Sequence, residues 1–135
     1  MKAQYLDENA LKALINRVST SSDPNARDDL EIVNKAIESF HNYVNAVVRG
    51  ERDLLIQCSS LEGQAYRDAI SSYDECRHVA HETAIFNVKL LNRLATQQYN
   101  MQPIFTGDDS QRHQVADFCL ELDQYLFMNR RIKLS

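Results

Sequence analysis

Turn-forming residues are almost absent from this chain, and their scarcity decides what it can fold into. Three Gly and two Pro occur in 135 residues, and between Pro24 and Pro103 only Gly50 and Gly63 interrupt the sequence. A β-sandwich or barrel needs a turn signal about every ~8–12 residues, which so few breakers cannot provide. Long stretches instead carry apolar side chains at alternating spacings of three and four, the stripe of an amphipathic helix. The expected fold is all-α: a four-helix bundle-like arrangement with two long central antiparallel helices, forming a single helical domain over 1–135. A chain of this length buries a continuous core without metal or disulfide staples.

The first helix is expected over 8–18, with Asp7 as N-cap, Leu6 and Leu11 as a hydrophobic staple, and Leu11, Leu14, Ile15 and Val18 on one face. Ser19 to Pro24 is a loop by composition, with Asp23 capping the next helix and Pro24 in its first turn. That second helix spans 25–58 on the stripe Leu30, Val33, Ile37, Phe40, Val44 and Val47, and resumes after Gly50 with Leu54, Leu55 and Cys58. Gly50 is a place where it could kink. Ser59 and Glu62 have capping-box spacing, so a third helix is placed at 59–98. Its seam is Tyr66, Ile70, Tyr73, Arg77, Ala80, Ala84, Asn87, Leu91 and Leu94. Residues 99–109 form the one long loop, apolar enough to fold back over an end of the bundle. A fourth helix follows at 110–130, capped by Asp108, Asp109 or Ser110. It turns Val115, Phe118, Cys119, Leu122 and Leu126 inward, and Arg130 and Arg131 suit its C-terminal dipole.

Two seam positions of the third helix, Arg77 and Asn87, are polar. An unpaired buried polar group costs on the order of 1–3 kcal/mol, so both are expected to be hydrogen-bonded internally or at a subunit contact. Asp117 or Glu121 would suit Arg77.

The chain carries a net charge of −4 and a pI near 5.5. Acidic bulk charge argues against phosphate backbones and anionic lipid as partners. The three cysteines, Cys58, Cys76 and Cys119, are odd in number and widely spaced, which suits reduced thiols and a cytoplasmic location. Cys58 and Cys119 sit on apolar faces as core thiols. The first residues lack the apolar stretch of a signal peptide, and no window approaches the ~18 apolar residues of a membrane span.

The segment richest in chemistry is Asp74-Glu75-Cys76-Arg77-His78-Val79-Ala80-His81-Glu82. Asp74, His78 and His81 fall on one stripe beside the core seam, continued by Ile85 and Val88. Asp74 with His78 and Arg77 with His81 are i, i+4 pairs. The plain account of Asp74, Arg77, His78, His81 and Glu82 is a polar layer at a helix flank. A metal site is one alternative, because Glu38-x-x-His41 and Glu75-x-x-His78 repeat the Glu-x-x-His element of diiron bundles. However, Glu38 falls on the outer flank and Glu75 nearly opposite Tyr73, whereas ligands to a buried metal point inward. No metal or other cofactor is expected.

A second alternative comes from Arg77-His78-Val79-Ala80-His81, which resembles the motif of HEPN-superfamily ribonucleases, an Arg followed after four to six residues by a His. Three residues intervene here, which shifts the His by about one helical position. That resemblance implies His81 as base on a ribose 2′-OH and Arg77 steadying the phosphate.

A broader likeness rests on Ala80-His81-Glu82, Leu91-Asn92-Arg93, Pro103-Ile104-Phe105-x-Gly107-Asp108 and Arg112-x-x-Val115-Ala116-x-Phe118. Together these resemble a bacterial family of small helical proteins of unknown function, over the second half of the chain. The resemblance implies a bacterial source and no activity.

Helix lengths point to a partner. Two helices each over ~45 Å long at 1.5 Å per residue cannot be covered along both flanks by much shorter neighbours. The uncovered strip is expected to carry Val44, Val47, Val48, Leu54 and Leu55 on one helix and Tyr66, Ile70 and Tyr73 on the other. Exposed apolar strips meet partners, and a twofold homodimer is the commonest arrangement. The first expectation is therefore a non-enzymatic homodimerising or protein-interaction module.

Overall fold

The computed structural model describes residues 4–128, except for the side chains of Val48, Arg52 and Met128. Arg130 and Arg131, expected at the last helix end, lie outside the described residues, as does the Val48 side chain of the expected strip.

Among the described residues five α-helices follow in order: α1 (Glu8–Thr20), α2 (Ala26–Tyr43), α3 (Gly50–Cys58), α4 (Gly63–Arg93) and α5 (Arg112–Asp123). Three π-helical stretches, Val44–Arg49, Leu94–Gln98 and Gln124–Met128, extend α2, α4 and α5. The fold is all-α, and no strand forms among the described residues. Backbone angles stay helical at Val44 (φ −60°, ψ −43°) and Gly50 (φ −63°, ψ −38°), so α2, the π stretch and α3 make one rod. Gly50 neither ends nor folds back this rod, matching the expected helix over 25–58.

Asp7 caps α1 by accepting a 3.0 Å hydrogen bond from the Ala10 amide, with Leu6 and Leu11 both buried. The other expected caps are corrected. Asn25 is the N-cap of α2, and Asp23 closes the preceding turn by accepting from the Asn25 amide at 2.9 Å. Ser59 and Ser60 do not open α4: their hydroxyls donate back to the Ile56 and Gln57 carbonyls and finish α3. The next helix starts at Gly63, whose φ of +60° is the left-handed conformation that glycine adopts without strain. Gln111 caps α5, while Asp108 folds its carboxylate onto the Ser110 amide and hydroxyl.

The two long rods run antiparallel in a register fixed by polar ties. Gln98 and Tyr99 donate to buried Asp29 at 2.6 and 2.5 Å. Asn87 donates to the Ser39 hydroxyl at 3.1 Å, Tyr43 meets His81, and the Tyr73 hydroxyl donates to the Val47 carbonyl at 2.8 Å. The expected internal bond of Asn87 is thus present. α1 lies along the first half of α2, and α5 crosses from Glu82 on α4 at its start to His41 on α2 near its end.

The loop after α4 folds back over the bundle as its composition implied. Ile104 and Phe105 are buried and pinned by Asn92, whose side chain accepts from both their amides and donates to the Phe105 carbonyl, each at 2.9 Å. Asp7 and Thr106 amides add bonds to the Ile104 and Tyr5 carbonyls.

Buried side chains form one cluster, and its distribution along the chain is uneven. They run from Leu6 to Val44 and from Ala84 to Leu126. Between Asn45 and Thr83 no described side chain is buried. Val44, expected on the uncovered strip, belongs to the core at 2% exposure. Cys58, expected as a core thiol, is only half-buried, while Cys119 is fully buried. α1 and α5 both stop short of the far end, so α3 and the first half of α4 project as a bare hairpin.

Candidate functional site

The segment Asp74 to Glu82 lies where the packed half of α4 gives way to the projecting half. The stripe Val88, Ile85, His81, His78, Asp74 rises out of the core along the helix: Val88 is buried, Ile85 and His81 are half-buried, and His78 and Asp74 are exposed. The five candidate residues therefore do not converge on one point.

His81 faces inward. The Tyr43 hydroxyl lies 3.1 Å from its Nδ1 and 3.2 Å from its Nε2, and the rings meet edge-on with centroids 4.9 Å apart. Burial lowers the imidazole pKa below its ordinary value, and the nearby Arg112 and Arg77 guanidiniums lower it further. Burial likewise raises the Tyr43 phenol well above its usual range. Both rings are therefore neutral near pH 7. Glu82 points to α5, where its carboxylate meets Arg112 at 3.5 Å.

Arg77 corrects the seam assignment. Its side chain is 51% exposed, pairs with Asp74 at 3.5 Å, and sits 5.9 Å from the centre of the Tyr73 ring. Neither expected acid reaches it: Glu121 instead accepts from the Gln4 and Tyr5 amides. Arg77 sits at a helical position that faces inward only where a third helix covers the pair, and none covers it there. The i, i+4 pairs give way to the i, i+3 pair Asp74–Arg77.

A second polar cluster surrounds Asp123, a buried carboxylate on α5. His41 Nδ1 bonds to Asp123 Oδ1, and Arg49 Nη2 lies 3.7 Å from Asp123 Oδ2. Asn45 closes the ring, with its Nδ2 3.2 Å from His41 Nε2 and its Oδ1 accepting from Arg49. This order makes His41 a donor through Nδ1 and an acceptor through Nε2. A His–Asp pair can serve a general base, but here the second imidazole nitrogen is occupied by Asn45 and Phe127 stacks on the ring at 4.3 Å. The arrangement clasps the end of α5 to the π stretch of the long rod.

Asp123 and Asp29 were missed in the sequence although a signal existed. Each lies four residues from a buried seam position, Cys119 and Val33, so the test that flagged Arg77 and Asn87 applies to them equally. Tyr43 was missed because the Tyr–His contact joins helices far apart in sequence.

Among the described residues no three of His, Cys, Asp and Glu gather where they could hold a metal ion. Glu38 and Glu75 are exposed. The Cys119 thiol is raised well above its ordinary pKa by burial, which keeps it protonated and unreactive. An open groove of about 660 Å³ runs between α2 and α4, lined by Glu38, Tyr43, Ala46, Glu75, Val79 and Ala80. Glu75 and Val79 also border a concave strip of α4 lined by Tyr66, Arg67, Ile70, Ser71, Asp74 and His78. In this stretch α4 is open around most of its circumference. No described helix is long and apolar enough to cross a membrane.

The short motifs behind the family resemblance meet at the packed end. Asn92 holds Ile104 and Phe105, the Asp108 amide donates to Gln114 at 2.7 Å, Phe105 packs edge-on against Phe118 at 5.1 Å, and Arg112 reaches Glu82. They hold the loop and α5 in place. No curated protein and no solved structure matches the chain. The sequence model of DUF3232, a protein of unknown function, matches residues 7–132, well beyond the second half, and the chain belongs to that family.

Proposed function

We propose that this chain is a non-enzymatic homodimerising module, a single helical domain of a bacterial cytoplasm whose projecting hairpin is completed by a second copy. The observation that carries this reading is the bare stretch from Asn45 to Thr83, where no described side chain is buried. Isolated helices are marginal in water, and most helical stability comes from packing an apolar face. This hairpin has apolar side chains to pack. Leu55, Ile56, Val79 and Tyr66 are 69, 66, 63 and 44% exposed.

The size is suitable. From Gly63 to Val79 the uncovered helix is ~25 Å long at 1.5 Å per residue, and two helices side by side are ~20 Å wide. One face is then of order 500 Å² in projection, and corrugation raises its accessible area towards the ~800 Å² per partner of a stable interface. A different protein could cover the same face, and it is the alternative partner.

The ribonuclease and metal alternatives lack comparable support. Arg77 turns to Asp74 while His81 turns to Tyr43, and although Glu38 and Glu75 line the same groove, no three metal-ligating side chains gather among the described residues. Hydrogen exchange tests the dimer. Amides of α3 and the first half of α4 are expected to gain protection as protein concentration rises, while those of α1 stay constant. Concentration-independent exchange throughout the hairpin would rule out self-association there.

A further inference from the structure

We propose that the basic segment 129–135 of this chain binds back into the open groove between α2 and α4. The groove, of about 660 Å³, takes apolar surface from Tyr43, Ala46, Val79 and Ala80, and the exposed Cys76 lies among them.

Reach selects this occupant. Phe127 stacks on the His41 ring at 4.3 Å. His41 directly precedes Asn42 and lies one turn after Glu38, and both of those residues line the groove. The seven residues after Met128 span up to ~23 Å at ~3.3 Å each, whereas a helix is only ~10 Å across. The segment can therefore pass over α2 and lie along the groove. Tethering supplies it at an effective concentration in the millimolar range, so weak contacts suffice and a free partner competes at a disadvantage.

Charge selects it as well. Asn129-Arg130-Arg131-Ile132-Lys133-Leu134-Ser135 carries three cationic side chains, two aliphatic ones and no acidic one. The groove offers the complement. Glu38 lines it from α2 and Glu75 from α4, both exposed. Among the described residues neither carboxylate is paired with a cation. Lys35, the one cation among the lining residues, is held by Glu31 at 3.0 Å. Arg49 and Arg77, close in sequence to Ala46 and Cys76, face Asp123 and Asp74. The local balance stays negative, so the cations of the segment meet the two free carboxylates while Ile132 and Leu134 meet the apolar lining. The strip around Tyr66 and Ile70 and the hairpin tip at Leu55 and Ile56 lie elsewhere, so this docking does not depend on the homodimer and does not compete with it.

A disulfide equilibrium in the full chain tests this. With Cys58→Ser and Ile132→Cys in place, Cys76 is the accessible partner for the new thiol, because Cys119 is buried. In a glutathione buffer the ratio of linked to free thiols gives the effective concentration of the pair. Glu38→Lys with Glu75→Lys is expected to lower it at least about fivefold, and so is reversal of Arg130, Arg131 and Lys133 to Glu. Joining the two sets of reversals is expected to restore it to within a few-fold. Glu38 and Glu75 are exposed, so folding is not at stake at either. An effective concentration unmoved by either set, or not restored by the joined sets, overturns the proposal. A disulfide that forms between chains rather than within one also overturns it, and puts the segment in the groove of a second copy.

Discussion

The Tyr43 hydroxyl on α2 and the His81 ring on α4 meet at 3.1 Å, and this contact marks the border between the packed and bare halves of the molecule. Towards the chain termini from this pair, the long helices are sheltered by α1, α5 and the folded-back loop. Away from it, only the two arms of the hairpin face one another. Tyr43 itself is 1% exposed, so its hydroxyl relies on His81 for a partner.

The pair makes stability depend on pH. His81 has a folded-state pKa below its ordinary value of 6.5, so the unfolded chain binds the extra proton first. Its contribution is fully present above about pH 6.5 and is lost as pH falls towards the folded value. The melting temperature is expected to drop between pH 7.5 and 5.5, and His81→Gln is expected to flatten that drop. An identical pH profile in the variant would show that His81 is not the titrating group.

Asn92, near the end of α4, is expected to be the most sensitive of the polar residues that hold the loop. Asn92→Ala strips partners from the amides of Ile104 and Phe105 and from the Phe105 carbonyl. An orphaned buried group costs about 1–3 kcal/mol, so chemical denaturation should show a loss of at least ~2 kcal/mol. A smaller loss would mean that the loop re-forms its bonds elsewhere.

Two glycines are expected to respond oppositely to alanine. A Cβ at Gly107 would lie 2.6 Å from Gln114 Oε1, 2.8 Å from Tyr5 Cδ1 and 2.9 Å from Phe105 Cζ. Such overpacking typically costs about 1–3 kcal/mol. At Gly50 the nearest such neighbour, Tyr73 Cε2, is an ordinary 3.5 Å away and the backbone is helical. Gly50→Ala is therefore expected to stabilise by up to ~1 kcal/mol through helix propensity. Thermal melts of the two variants should move in opposite directions.

Much of this architecture was legible in the sequence, because three-and-four spacing reports which side of a helix is apolar. By that spacing Leu11, Leu14, Val33, Phe40, Leu91, Phe118 and Leu122 face inward, and all are buried. Spacing does not report how far a neighbouring helix extends. Arg77 and Tyr66 share a seam with Ala84, yet they face solvent because α1 and α5 end before reaching them. Cap positions slipped for a related reason: Ser59 and Asp108 have side chains suited to capping, but they close local turns instead. The π stretches left no periodic trace, since each widens only a turn or so. The clasp of His41, Arg49 and Asp123 depends on α5 crossing α2, and spacing within one helix cannot convey a crossing.

Sedimentation equilibrium over a micromolar concentration range reads whether a second copy completes the bare hairpin. With self-association through the hairpin, the mass approaches twice the 15.6 kDa of the chain as concentration rises. A mass that stays at 15.6 kDa throughout would mean that no second copy covers the hairpin.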